Sequence, residues 1–147
     1  MPEIIQKAEK IVNAAFADKT DKAGEPYTGH LFRVRETVKA NGGDHEQQCN
    51  ALLHDLLEDC PDWNEEKLSE LFSSRIVQGV KSLTKSEHQS YSDYLAKVSE
   101  NPDAVIVKLA DLQDNMNLSR LVNPQKSDFQ RIEKYQKAHR QLISLNN

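Results

Sequence analysis

Apolar residues in this chain recur at the spacing of helices. Ile4, Ile5, Ala8, Ile11, Val12 and Ala15 fall three and four positions apart, which puts them on one face at about 100° per residue. Pro2 suits the start of that helix. A second pattern carries His30, Leu31, Val34 and Val38 and runs out at Gly42-Gly43. A third begins at Asp44, with Gln47 placed to complete a capping box. It continues through Cys49, Leu52, Leu53, Leu56 and Leu57 until Cys60-Pro61-Asp62 stops it. Asn64 reads as the cap of a helix through Leu68 and Leu71, Ile76, Val77 and Val80 mark a short one, and Tyr91, Tyr94, Leu95 and Val98 mark another that ends at Asn101-Pro102. A seventh helix is expected from about Asp103 to Leu118. After a break at Asn123-Pro124, Ser127 and Gln130 form a second capping-box pattern for the last helix, which carries Phe129, Ile132, Tyr135, Leu142 and Leu145. No convincing strand pattern, repeat or linker interrupts the series. The expectation is a single all-α domain over residues 1–147, with polar loops at Asp18–Gly29 and Ser82–Gln89. The first loop, with two glycines and a proline, is long enough to suggest function.

Within the third helix, Leu52, Leu53, Leu56 and Leu57 take one arc, and His54, Asp55, Glu58 and Asp59 take the other. His54 stacks one turn below Glu58, and Asp55 below Asp59. One imidazole and three carboxylates so close repel one another unless something positive lies among them, and a divalent cation is the simplest such thing. The same pattern equally fits the wetted face of an ordinary surface helix, so the rest of the chain has to decide. Asp111 sits in the most apolar stretch, Val105 to Leu112. An ionised carboxylate there costs several kcal/mol unless it is paired or coordinated; a lysine or arginine partner is the alternative to a metal. Asn115 lies one turn further along the same face. His30 opens the second helix directly after the Gly/Pro loop, whereas His45, His88 and His139 sit in polar surroundings and read as surface residues. His30, His54, Asp55 and Asp111 together offer two imidazoles and two carboxylates from three helices. Mixed N and O donors in that number suit Mn²⁺, Fe²⁺ or Zn²⁺ with positions left open for water and substrate.

Composition narrows the classes. With 37% hydrophobic and 29% charged residues over 147 positions, the chain suits a soluble globular fold with one core. Its apolar runs are too short to cross a bilayer. Met1 to Gln6 lacks the basic-then-apolar order of a signal peptide. Cys49 and Cys60 match no zinc or redox spacing, so a reducing, cytoplasmic setting is the default. A net charge of −4 argues against nucleic-acid binding, but leaves room for an anionic small molecule held by a metal and a few lysines. A homodimer is left open.

These residues resemble the HD-domain metal-dependent phosphohydrolases through His30, the pair His54-Asp55 and the distant Asp111. The likeness is closer to the hydrolase domain of the RelA/SpoT family and its small stand-alone relatives. That group's G-x-P-Y-x-x-H element is Gly24 to His30 here, its A-L-L-H-D-x-x-E-D element is Ala51 to Asp59, its V-x-x-L-T-K element lies in Val80 to Lys85, and its K-L-A-D-x-x-x-N-M element is Lys108 to Met116. The resemblance implies a helical HD fold, a bound divalent metal, typically Mn²⁺, and hydrolysis of the 3′-pyrophosphate of the guanosine alarmones (p)ppGpp. It implies that His30, His54, Asp55 and Asp111 hold the metal, that Glu58 and Asp59 position water and handle protons, and that Asn115 sits beside metal and substrate. Lys22 matches the lysine of the family's basic R-K pair, Lys85 would offset phosphate charge, and Tyr135 matches a pocket tyrosine from the last helix. Asp21 replaces the arginine of the R-K pair, where it would lose stacking on the base and repel phosphate. Metal-dependent phosphohydrolase is therefore the firmer expectation and the alarmone the finer one. The alternatives are an HD-type nucleotidase or dNTP hydrolase, and a nucleotide-binding regulatory module without turnover.

Overall fold

A computed structural model describes residues 2–117, 121 and 123–146, the last by its backbone alone. Among these, nine helices are present: α1 (Glu3–Ala15), α2 (Thr28–Ala40), α3 (His45–Leu53), α4 (Leu56–Asp59), α5 (Glu65–Leu71), α6 (Ser74–Ser82), α7 (Tyr91–Ser99), α8 (Pro102–Asn115) and α9 (Lys126–Asn146). The fold is all-α; the β pairing among the described residues is one isolated bridge, Thr20 with Pro26, inside the first loop. No helix among them is long and apolar enough to cross a membrane.

Local chemistry sets most of the boundaries. Asp44 and Gln47 form the expected capping box at the start of α3, and the Asn64 side chain accepts from the Lys67 N–H at the start of α5. Asn101 caps α8 with Pro102 in the first turn, where its missing N–H costs nothing. Two expectations shift. Helix α9 begins at Lys126, and its first turn is closed by Asp128, which accepts from the Gln125 N–H at 2.7 Å; Ser127 and Gln130 therefore lie inside the helix. The seventh expected helix closes at Asn115, with Met116 as its C-cap, short of the expected Leu118, which lies outside the described residues.

The larger correction concerns the third helix, which is not continuous. It breaks after Leu53, passes through His54 (φ −60°, ψ −26°) and Asp55 (φ −100°, ψ −1°), and resumes as the single turn α4. The His54 imidazole bonds the Ala51 carbonyl at 2.6 Å, an oxygen that an unbroken helix would give to the Asp55 N–H. The two-arc arrangement is thereby lost: His54 turns inward and is 2% exposed, while Glu58 stays on the surface.

Helices α2 and α3 lie between two apolar clusters. Leu31, Cys49, Leu52 and Leu53 join α1, α5 and α6 in the first; Val34, Val38 and Ala51 join α7, α8 and α9 in the second. Arg75 of α6 ties the starts of α3 and α8 together through Asp44, Glu46 and Asp103. Between α3 and α6, the fully buried Asn50 amide lies so close to Gly79 that a Cβ there would come within 2.3 Å of Asn50 Nδ2. Gly79→Ala is expected to cost about 1–3 kcal/mol in urea unfolding, with part of that cost removed when Asn50→Ala is added. Strictly additive losses would contradict this packing.

Candidate metal centre

Three helices deliver the site. His30 comes from the first turn of α2, His54 from the break after α3, and Asp111 from the last turns of α8. Donor atoms of these three residues lie within 4.8 Å of one another, and all three residues are buried. His30 Nε2 is 2.9 Å from Asp111 Oδ1. His54 Nε2 is 3.3 Å from the same oxygen and 3.2 Å from Asp55 Oδ2, so Asp55 borders the group.

The second nitrogen of each imidazole is already engaged. A carbonyl only accepts, so His54 Nδ1 carries the proton it gives to Ala51 O. His30 Nδ1 lies 2.7 Å from Asp114 Oδ2, so a carboxylate holds that nitrogen as a donor. In the neutral ring both Nε2 atoms are then bare lone pairs facing carboxylate oxygens. His54 Nε2 is buried and makes no hydrogen bond, although two oxygens lie near it. Lone pairs gathered this way need either protons or a cation between them. The imidazole–backbone and imidazole–carboxylate bonds behind them are those that fix ring orientation in metal sites. The donor set therefore fits a divalent ion.

The electrostatics agree. Burial opposes a charged His30, but its bonds to Asp111 and Asp114 outweigh burial and raise its pKa. Burial likewise opposes charge on His54, yet Asp55 and Asp111 hold its pKa well above the usual value. For Asp111, burial is overcome by Lys108 and the histidines, which keep it ionised well below the carboxylate range. Asp114, despite burial, is pulled down to about 2 by His30 and Arg33. Asp59 goes the other way: burial and then the charges of Asp55 and Glu58 push it up to about 6.

A cavity of about 420 Å³ opens beside this cluster, lined by His30, Asn115, Lys22, Tyr135, Asp21 and Arg131 among others. Asn115 also donates to Asp111 Oδ1 at 3.1 Å. The remaining expected residues sit elsewhere. Lys85 does not line the cavity; its Nζ bonds Ser86 O, and its N–H donates to Glu58 Oε1 at 2.8 Å. Asp59 is half-buried, with its backbone carbonyl accepting from Lys19 Nζ. Asp21 lines the cavity and also closes the loop before α2: its Oδ1 accepts from the N–H groups of Ala23 and Glu25.

Several residues at the site carry no clear signal in the sequence. Tyr27 donates to Asp55 Oδ2 at 2.6 Å, and Lys108 donates to Asp111 Oδ2 at 2.9 Å. Arg33 grips Asp114, and Arg131 reaches the cavity from α9. The spacings His30-x-x-Arg33 and Asp111-x-x-Asp114 put each pair on one helical face but do not show that the two faces meet. A raised histidine pKa stabilises the fold fully below the unfolded value of about 6.5 and loses that contribution as pH rises through the folded value. Chelator-treated protein should therefore become less stable in thermal melts as pH rises above roughly 6.5, and added divalent metal should remove that loss. A melting temperature flat across that range would contradict the two protonated imidazoles.

Comparison with known proteins follows the same lines. An HD-domain family model matches residues 8–136. A guanosine-3′,5′-bis(diphosphate) 3′-pyrophosphohydrolase of Aquifex aeolicus is 32% identical over 122 residues, which is 78% of this chain. One of Haemophilus influenzae is 32% identical over 115 residues, 71% of this chain. A probable GTP pyrophosphokinase of Mycobacterium leprae is 28% identical over 132 residues, 84% of this chain. The chain spans about 17% of the length of each. A solved structure described as a metazoan ortholog of SpoT that hydrolyses ppGpp superposes with a TM-score of 0.78 at 20% identity, over 100% of this chain and 87% of that one, which shows a shared fold. With most of its length matched and its paired histidines and aspartate brought to one point, the chain belongs to the HD-domain family.

Proposed function

We propose that this chain is a metal-dependent phosphohydrolase that removes the 3′-pyrophosphate of a guanosine (p)ppGpp-type nucleotide. The observation that carries the reading is the meeting of His30, His54 and Asp111, with Asp55 alongside, next to a cavity that His30 lines together with Lys22, Arg131 and Tyr135. An HD hydrolase domain implies a divalent metal, and the activities named for the relatives point to the substrate class.

In this reading His30, His54, Asp55 and Asp111 hold the ion, with Mn²⁺ the first choice and Fe²⁺ or Zn²⁺ the others. The ion supplies Lewis acidity, making water ionise near neutral pH and drawing charge from a phosphoryl oxygen. Tyr27 and Lys108 orient Asp55 and Asp111 through the bonds they donate. Lys22 and Arg131 balance the phosphates, and Tyr135 offers a ring beside the base or ribose. Glu58 orients the attacking water once it releases the Lys85 N–H. Asp59, whose carboxyl is raised first by burial, passes a proton to the departing ribose 3′-oxygen as the 3′-O–P bond breaks and pyrophosphate leaves. Lys85, outside the cavity lining, adds a more distant positive charge, and Asn115 keeps Asp111 aligned while touching substrate. A nucleotidase or dNTP hydrolase remains the second reading, favoured by Asp21 standing at the cavity wall where the family places a cation. A cytoplasmic setting fits either reading.

Chelator-stripped protein should be inert and should recover with Mn²⁺, releasing pyrophosphate from ppGpp but not from GTP or dGTP. Turnover of simple triphosphates without ppGpp would replace the first reading with the second. Binding of ppGpp without product would leave the regulatory module. Glu58→Gln should lower kcat by about 10²–10⁴-fold with metal affinity nearly unchanged, whereas His54→Ala should abolish metal binding in calorimetry. A Glu58→Gln enzyme with wild-type kcat would remove that residue from the chemistry.

A further inference from the structure

Behind His30 runs a line of charge that the proposed reaction does not use. Asp114 Oδ2 is 2.7 Å from His30 Nδ1. Arg33, one turn along α2 from His30, donates to Asp114 Oδ1 from Nε at 2.8 Å and to Oδ2 from Nη2 at 3.2 Å. That two-point grip fixes the plane of the carboxylate as a single contact does not. The guanidinium lies over Gly29, where a Cβ would come within 3.0 Å of Nη1, so the helix leaves room for it. On its other side, Arg33 Nη2 faces Asp21 Oδ2 at 4.0 Å. That oxygen is buried and makes no hydrogen bond, while Oδ1 of the same carboxylate closes the 21–25 loop on the N–H groups of Ala23 and Glu25. One side chain thus lies between the carboxylate behind His30 and the loop that walls the nucleotide cavity.

We propose that Arg33 is a positioning residue that couples the loop at Asp21 to the metal site, so that occupancy of the site tightens the loop around the nucleotide. The inference rests on the metal-site reading above. A carboxylate gripped from behind holds the His30 ring in one orientation, and removing such an outer contact costs metal sites about 10–100-fold in affinity. The 4.0 Å separation at Asp21 is an ion-pair distance with room to shorten to a hydrogen bond. An ordered His30–Asp114–Arg33 line presents the guanidinium squarely to Asp21; a loose one does not. The link is reciprocal, because coupling between two sites acts equally in both directions. Arg33→Lys keeps the charge but loses the fork, so it should not restore the coupling.

Hydrogen exchange at the Ala23 and Glu25 amides tests this, with Mn²⁺ as the probe and intact protein throughout. In wild type, Mn²⁺ at saturation should slow exchange at both amides by about tenfold, a coupling of ordinary size. In Arg33→Met and Arg33→Lys, Mn²⁺ should bind about 10–100-fold more weakly by calorimetry, and at saturation the two amides should no longer respond. KM for the nucleotide should rise more than kcat falls. Asp21→Asn, which leaves His30 untouched, should blunt the loop response without the full loss of metal affinity. Unchanged Mn²⁺ affinity in Arg33→Met, or a loop response equal to wild type, overturns the inference while leaving the metal centre standing. Wild-type protein that binds no Mn²⁺ overturns both.

Discussion

A carboxylate at the end of a buried helix has to be answered by positive charge, and everything else in this structure is arranged around how Asp111 is answered. It is 5% exposed, in a stretch whose neighbours are valine, leucine and alanine. Without partners its ionised form would cost several kcal/mol. The protein supplies Lys108 on one oxygen and a pair of imidazoles with Asn115 on the other. Lysine alone would have sufficed for a structural ion pair. Two histidines brought from separate helices to the same oxygen exceed that need, and they are what set this cluster apart from a buried salt bridge.

Holding those imidazoles constrains the fold around them. His54 faces the cluster because the helix gives up one backbone bond at Ala51 to the ring. His30 faces it because the loop before α2 is folded on Asp21 and stacked through Tyr27 against Phe16 at 5.3 Å. The helices that carry the cluster, α2, α3 and α8, are packed by two apolar clusters that meet on α2 and α3, so the site lies where the core is least able to shift. Outside that packed region, Glu58 meets the chain after α6 through the Lys85 N–H.

Much of this could be read from residue order. Helical spacing located α1, α2, α5, α6 and α7, and cap chemistry placed the starts at Asp44 and Asn64, because these signals act within one turn. The buried acid Asp111 stood out against its apolar neighbours for the same reason. What could not be read is the break at His54: it arises from a side chain taking its own helix's carbonyl, which periodicity treats as continuous. The charge line through Arg33 and Asp114 was equally hidden, since helical spacing shows that two residues share a face but not which helix that face meets. Asp21 looked like an intruder in a phosphate site. Its role in closing the loop depends on backbone geometry that composition does not reveal.

The most direct test of the account is an anomalous difference map from crystals grown with Mn²⁺. A single peak at direct bonding distance from Nε2 of His30, Nε2 of His54 and a carboxylate oxygen of Asp111, with Asp55 completing the set, is what the account predicts. A map without density there, with the imidazoles still resting directly on the aspartate oxygens, would contradict it.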